Sequence, residues 1–533
     1  MLLSYLRIPV YWVFPFLADA RDWRKVGKVL RWIIHVLIIV GIVLFLYWLQ
    51  NYVEVVRKEV PNILSTSAYG LDKVFFPLLF LLVYAFGWLA WFIWRLLTPE
   101  AVYAEFPDID QAWAEIKSTL RQTGLSFTDA PMFLVLGKSQ GGEESLFQAA
   151  QFPFQARCVP RRADAPVRLY SNRDAIFITC PNASLLGKHA SLLAGDADSM
   201  IVASQPELAA AGEGIDPFLT MQPKGQAKEV MDVLEEARLR GRSAGQLTED
   251  ERMALAMRAR KPLGNLLRNR EQMELHAARL RYVCKLIVAE RRPYIPINGI
   301  MLIVPYHATD SDEDCNDTSL ICQRDLAVAR ETLQVNCPVF AMVADLESLP
   351  GFDEFIERFP DDQRQRRVGQ RFPLVPDIAP EQLPAKAEEA VRWVCVSLVP
   401  TWVYKLFHHE GPNGLKFEDA IRGNVKLYRL MSLIRERNRR LGRIVNRALS
   451  QEGDPVMFGG CYIAGTGREA SRQAFIPGIF RRLLEEQDNV IWTQRALADE
   501  ANYRRLANLG YAAIVVMAVS VAGLLYYLFT SSK

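Results

Sequence analysis

The chain is poor in the groups from which reacting centres are usually built. It has six histidines in 533 residues, and no H-E-x-x-H spacing. His408 and His409 are adjacent, beside Glu410. Neighbouring side chains on a helix point about 100° apart, so the two imidazoles do not easily share a metal, and they read as a surface helix end. G-x-S-x-G is absent, and no Ser–His–Asp, Cys–His or paired-carboxylate constellation emerges. The eight cysteines (Cys158, Cys180, Cys284, Cys315, Cys322, Cys337, Cys395, Cys461) include no C-x-x-C pair. That argues against a zinc site or a disulfide framework and fits small buried hydrophobes in a reducing compartment. Excess charge of one sign is missing too: 63 basic against 60 acidic side chains leave +3, so no bulk pull toward nucleic acid is implied.

Charge is absent from three long apolar runs, residues 32–49, 74–94 and 511–529. Each approaches the ~20 residues that cross a bilayer core. Aromatic residues at their ends (Trp32, Trp48, Trp94, Tyr526) suit membrane interfaces. Arg21, Arg24, Lys25, Lys28 and Arg31 precede the first run, Arg95 follows the second, and Arg504 and Arg505 precede the third. The loop over 50–73 is balanced. The positive-inside rule then predicts a cytoplasmic N-terminus, a transmembrane hairpin, a large cytoplasmic middle and a third span. The first twenty residues resemble a signal peptide, but Pro9 and Pro15 break their apolar core. An amphipathic segment on the inner surface is the preferred reading.

The stretch with the most specific local pattern is 131–147. Apolar residues 132–136 end at Gly137, a short loop reaches Gly142, and an amphipathic run follows. This is the strand–loop–helix layout of G-x-x-x-x-G-K-[S/T]. Glu143 and Glu144 stand where the lysine and the metal-holding hydroxyl belong. Carboxylates suit a helix N-terminus but repel a triphosphate and occupy the place of an anion.

Beyond it, strands are predicted at 167–169, 175–179, 300–304 and 338–343. Helices are predicted at 108–122, 263–290 and 325–333, with another beginning at 351. This alternation argues for a doubly wound α/β domain. Residues 192–262 read as a polar insertion. After about residue 380 helices dominate (386–407 and 419–449), with a short strand at 457–464. In the second of these helices Arg435, Arg439, Arg440, Arg443 and Arg447 contribute to a basic face. It reads either as a solvated helix face or as a docking surface for an acidic partner or anionic lipid. The acidic stretch 310–317 fails the EF-hand pattern, with Cys315 at the turn-glycine position and Ile321 at the bidentate position, and is expected to be a solvated loop.

Three further stretches complete a recognisable order: 291–299 (Arg-Arg-Pro-Tyr-Ile-Pro-Ile-Asn-Gly), 349–355 (Leu-Pro-Gly-Phe-Asp-Glu-Phe) and 458–465 (Phe-Gly-Gly-Cys-Tyr-Ile-Ala-Gly). With the hairpin and the loop, the chain resembles the cytoplasmic half of the IcmF/TssM proteins, inner-membrane components of type VI secretion systems. Members usually continue into a periplasmic domain, which the sequence to Lys533 is expected to lack. A nucleotide-competent member would carry Asp-Thr-Ala-Gly where this chain has 179–182, with Thr179 and Asn182, and Thr-Lys-x-Asp where it has 344–347, with Asp345 and Glu347. Without these groups a transferring phosphoryl has no stabiliser.

The resemblance implies an α/β P-loop-like (pseudo-NTPase) cytoplasmic domain at 101–378, a mainly helical domain at 379–509, and three transmembrane α-helices within 1–100 and 510–533. It implies no enzyme, catalytic residue, cofactor or metal. The expected partners are other membrane and baseplate-like components of a secretion complex, further copies of the chain and membrane lipid, with no nucleic acid. The expected location is the bacterial inner membrane. A nucleotide-binding switch and a regulator of a full-length relative remain as alternatives.

Overall fold

The computed structural model describes residues 28–52, 75–97, 104–194, 269–374, 380–407, 417–451 and 455–531. The N-terminal segment, most of the 50–73 loop, almost all of the 192–262 insertion and His408 to Glu410 lie outside them. Two compact units form, Met1–Ala101 with Leu497–Lys533, and Val102–Ala496.

In the first unit, α1 (Lys28–Tyr52) and α2 (Phe75–Leu97) pack together. Both expose large apolar side chains, among them Leu37, Leu44, Phe45, Val83 and Trp94. Apolar surface on the outside of a helix is what a lipid environment accepts. The one polar residue of the first run is turned inward: His35 is buried and shares a 2.5 Å hydrogen bond with the Tyr84 hydroxyl, to which Trp88 also donates. Where three spans were expected, two candidates stand among the described residues: the helices over Phe76–Trp94 and Gln494–Gly523 are long and apolar enough to cross a membrane.

The second unit begins with α3 (Pro107–Gln122), β1 (Met132–Leu136), α4 (Glu143–Ala149), β2 (Ala156–Val159), β3 (Arg168–Ser171), β4 (Ile176–Thr179) and α5 (Leu185–Ala194). It continues with α6 (Arg270–Arg291), β5 (Gly299–Pro305), α7 (Asp312–Leu333), β6 (Val335–Asn336), β7 (Val339–Ala344), α8 (Phe352–Glu357) and β8 (Val368–Arg371). Then come α9 (Leu383–Trp393), α10 (Val399–Leu406), α11 (Phe417–Glu436), α12 (Asn438–Leu449), β9 (Phe458–Ile463), β10 (Gly465–Thr466), β11 (Gln473–Ala474), α13 (Ile476–Glu485) and β12 (Ile491–Trp492).

The main sheet runs β2-β3-β4-β1-β5-β7-β9-β8. Its five central strands, β4 to β9, are parallel, and β2, β3 and β8 are antiparallel at the edges. Parallel strands are buried on both faces, which is why these segments read as unbroken apolar runs. Side chains alternate: Met132, Leu134 and Leu136 join one core and Phe133 and Val135 the other. The first core is covered by α3, α6, α7 and α9 to α12; the second by α4 and α13. Each fully buried Leu, Ile or Phe contributes roughly 1.5–3 kcal/mol. The short strand expected at 457–464 is β9, hydrogen-bonded to β7, and residues on both sides of the expected 378/379 boundary belong to one compact unit.

The motif stretches hold this sheet. Buried Arg291 donates to the carbonyls of Ile295 and Ala130, tying the end of α6 to the loop before β1. Asn298 accepts from Met132 N at 3.0 Å and donates to Gln487 O at 3.0 Å. Gly351, at φ +90°, lets α11 approach so closely that a Cβ there would lie 2.2 Å from Lys426 O.

Candidate functional site, a loop closed by its own chain

Loops that follow the parallel strands gather at their C-terminal ends, where doubly wound folds bind ligands. The loop 137–142 leaves β1 there. Gly137 has φ +96°, and a Cβ on it would lie 2.3 Å from Ile303 O, so no side chain fits. Gly142 has φ +89° and opens α4, a helix of seven residues. The two glycines therefore do make the turn that the sequence suggests.

The two glutamates diverge. Glu143 is buried, and its Oε2 lies 2.9 Å from Arg168 Nη1, a guanidinium that also donates to Arg162 O and Ala163 O. Its Oε1 has no hydrogen-bond partner. Glu144 is exposed and stands 3.6 Å from Arg157 Nε, a pair worth little in water. Neither carboxylate is recorded as a partner of the loop amides.

A different carboxylate is. Asp345, fully buried in a left-handed conformation at φ +68°, accepts from Gln140 N of the loop at 2.8 Å. Thr466, in β10, braces it: the hydroxyl donates to Asp345 Oδ1 at 2.9 Å, and Thr466 N donates to Glu347 Oε2 at 2.8 Å. Thr466 O also lies 2.2 Å from where a Gly141 Cβ would sit, and 3.1 Å from Ser145 Oγ. The loop backbone is thus pressed between β10 and the Asp345 carboxylate. An amide of the phosphate-type loop already has an acceptor, the Asp345 carboxyl, supplied by the chain itself. Burial, and then the neighbouring Glu347, push the Asp345 carboxyl up to about 7, against the pull of Gln140 N and Thr466. Glu347 is raised as well, chiefly by burial.

The residues expected at the lost metal-side element are turned to structural use. Thr179 is buried, with its Oγ1 3.5 Å from Arg168 O, and Asn182 donates to Ala165 O at 3.4 Å. Just beyond, Asp325 of α7 receives Leu185 N and Leu186 N at 3.2 and 2.7 Å, capping the N-terminus of α5 from another helix. Among the described residues no group of three or more His, Cys, Asp and Glu side chains could hold a metal ion.

The acidic stretch expected as a solvated loop is in fact a helix start. Ser311 caps α7 by accepting Asp314 N, and Asp312, Glu313 and Asp314 occupy the first turn, which the helix dipole favours. This turn meets the basic face. Arg440 contacts Asp312 at 3.1 Å and Thr309 O at 3.0 Å, and Arg443 lies 3.7 Å from Asp312. Arg437, buried between α11 and α12, pairs with Asp310 and lies 4.8 Å over the Tyr306 ring. Arg435, Arg439 and Arg447 are exposed. Sequence reasoning did not single out Thr466, Gln140 or Arg168. Thr466 lies beside the 458–465 motif, at the end of a buried strand, and that position is the only signal it carries.

Residues 274–467 match a family model, the IcmF-related N-terminal domain. The match includes Asp345, Glu347 and Thr466 but not the loop 137–142. No curated protein and no solved structure matches the chain.

Proposed function

Since the match over 274–467 supports membership of the IcmF/TssM family, we propose that this chain is a membrane-anchored structural component of a type VI/IcmF-like secretion apparatus. In this reading the α/β unit is a pseudo-NTPase that docks other components and performs no phosphoryl transfer. It lies on the cytoplasmic side of the inner membrane, held by the two helices that are long and apolar enough to span it. The observation that carries the reading is the Asp345 carboxylate on Gln140 N, with Thr466 O against Gly141. A nucleotide phosphate entering the loop would have to displace a buried, braced carboxyl and would meet Glu143 and Glu144 where the motif has its lysine and metal-holding hydroxyl.

The test is calorimetric titration of Mg-ATP and Mg-GTP into the full-length protein in detergent micelles. No binding tighter than millimolar is expected. Micromolar, Mg²⁺-dependent affinity would overturn the proposal in favour of a nucleotide-binding switch. That second reading draws on one feature, the positive-φ turns kept at Gly137 and Gly142.

A further inference from the structure

The close packing of α9 on α12 leaves a small basic cavity. Gly442 makes the approach possible, since a Cβ there would lie 2.8 Å from Glu388 Cγ. Beside this contact a cavity of about 210 Å³ is lined by Glu388, Arg392, Asn438, Arg439 and Arg443. Three arginines and one glutamate thus line it, and the glutamate is engaged, with Glu388 Oε2 accepting Asn446 Nδ2 at 2.6 Å. Arg392 and Arg439 are exposed and make no ion pair among the described residues, while Arg443 shares Asp312 at a loose 3.7 Å. The cavity also sits at the start of α12, whose first turn has no acidic residue and whose Arg437 N-cap makes no side-chain cap bond. Asp310 and Asp312 answer Arg437, Arg440 and Arg443 at this helix start, and a bound anion would add to them beside Arg392 and Arg439.

We propose that Arg392, Arg439 and Arg443, with Asn438, bind the terminal phosphate of a small polyanion. Several features select that class. Guanidinium forks match phosphate oxygens with paired, charge-assisted hydrogen bonds, and three of them converge on one cavity. The volume is below the roughly 300 Å³ at which pockets begin to enclose drug-sized ligands. The residual positive charge calls for a multiply charged anion. The site is separate from the closed loop described above, on different elements, and does not depend on the function proposed there.

Pyrophosphate titrated calorimetrically into the full-length protein in detergent at low salt tests the assignment. Submillimolar binding is expected, weakened at least tenfold by Arg392→Gln and by Arg439→Gln. Both positions are exposed, so the melting temperature of each variant is expected to match that of the natural chain. Asp345→Asn, at the closed loop, is expected to leave the affinity unchanged. Five results overturn the proposal, the last of them read with a second probe. The first is no binding at all. The second is affinity that survives both arginine substitutions or falls with Asp345→Asn. The third is equal weakening by Arg435→Gln, which lies outside the cavity lining and would report general positive charge. The fourth is displacement of pyrophosphate by polyglutamate at lower concentration than by inorganic phosphate, which would make the face a docking surface for acidic protein. Glycerophosphoglycerol, a phosphodiester, separates the sources. Binding as tight as that of pyrophosphate would assign the site to a lipid headgroup and overturn the terminal-phosphate reading.

Discussion

Asp345 and Asp325 are buried carboxyls, and burial holds both at about 7 against an ordinary 3.8, at Asp325 against the pull of Leu185 N, Leu186 N and Arg324. The sign of the linkage follows. The folded chain binds the proton more tightly than the unfolded chain, so each group contributes stability that is full below about pH 4. That contribution is lost as pH rises through about 7. For each group it is on the order of 4 kcal/mol. Buried His189 and half-buried His276, lowered to about 4 chiefly by desolvation, work in the opposite direction below about pH 6.5. A difference measurement separates them: Asp345→Asn in thermal melts from pH 5 to 8 is expected to remove one carboxyl's share of the slope. An unchanged slope would mean that the carboxyl is ionised throughout. At Glu143 the expectation is plain destabilisation. Glu143→Gln leaves Arg168 buried without its counter-charge and is expected to cost about 3–5 kcal/mol in denaturant titrations, whereas Glu143→Leu with Arg168→Met is expected to be near neutral.

At the level of elements, the glycines set which helix reaches which strand. Gly351→Ala forces a Cβ into the Lys426 carbonyl at a backbone conformation that side chains avoid. It is expected to lower stability by more than about 1 kcal/mol and to loosen α11, read as faster amide exchange over Phe417–Glu436. The strands β1, β4, β5 and β7 were legible in the sequence because strands buried on both faces must be apolar without interruption. The edge strand β2 was not, since Arg157 interrupts the run and its burial is partial. The start of α7 was misread because 310–317 looks like a solvated acidic stretch taken alone. Its acids compensate the dipole of α7 from the first turn, and Asp312 there also meets Arg440 and Arg443, more than 120 residues away. The closed loop was half legible. The glycines and the missing lysine stand in the sequence, but the carboxylate on Gln140 N comes from a residue 205 positions downstream.

For the whole molecule, the proposal puts Val102–Ala496 on the cytoplasmic side. Asp488→Cys, at an exposed position near the end of that unit, supplies a reporter. Labelling by a membrane-impermeant maleimide is expected in inside-out vesicles and absent in right-side-out ones. The reverse pattern would invert the topology.

The contact between Asp345 and the loop also bears on how reversible the proposed loss of nucleotide chemistry is. Replacing Glu143 by lysine would set a second cation beside Arg168 and remove the one carboxylate that pairs with that guanidinium among the described residues, so the restored group arrives as a destabilising one. Replacing Glu144 by threonine leaves the loop amide on Asp345. Glu143→Lys with Glu144→Thr is accordingly expected to bind no nucleotide, and binding to require changes at Arg168 and Asp345 as well. Each step taken alone is a cost with no return in activity. The arrangement acts as a ratchet: with the loop amide held by a carboxyl of its own chain, no single one of these substitutions is expected to lead back.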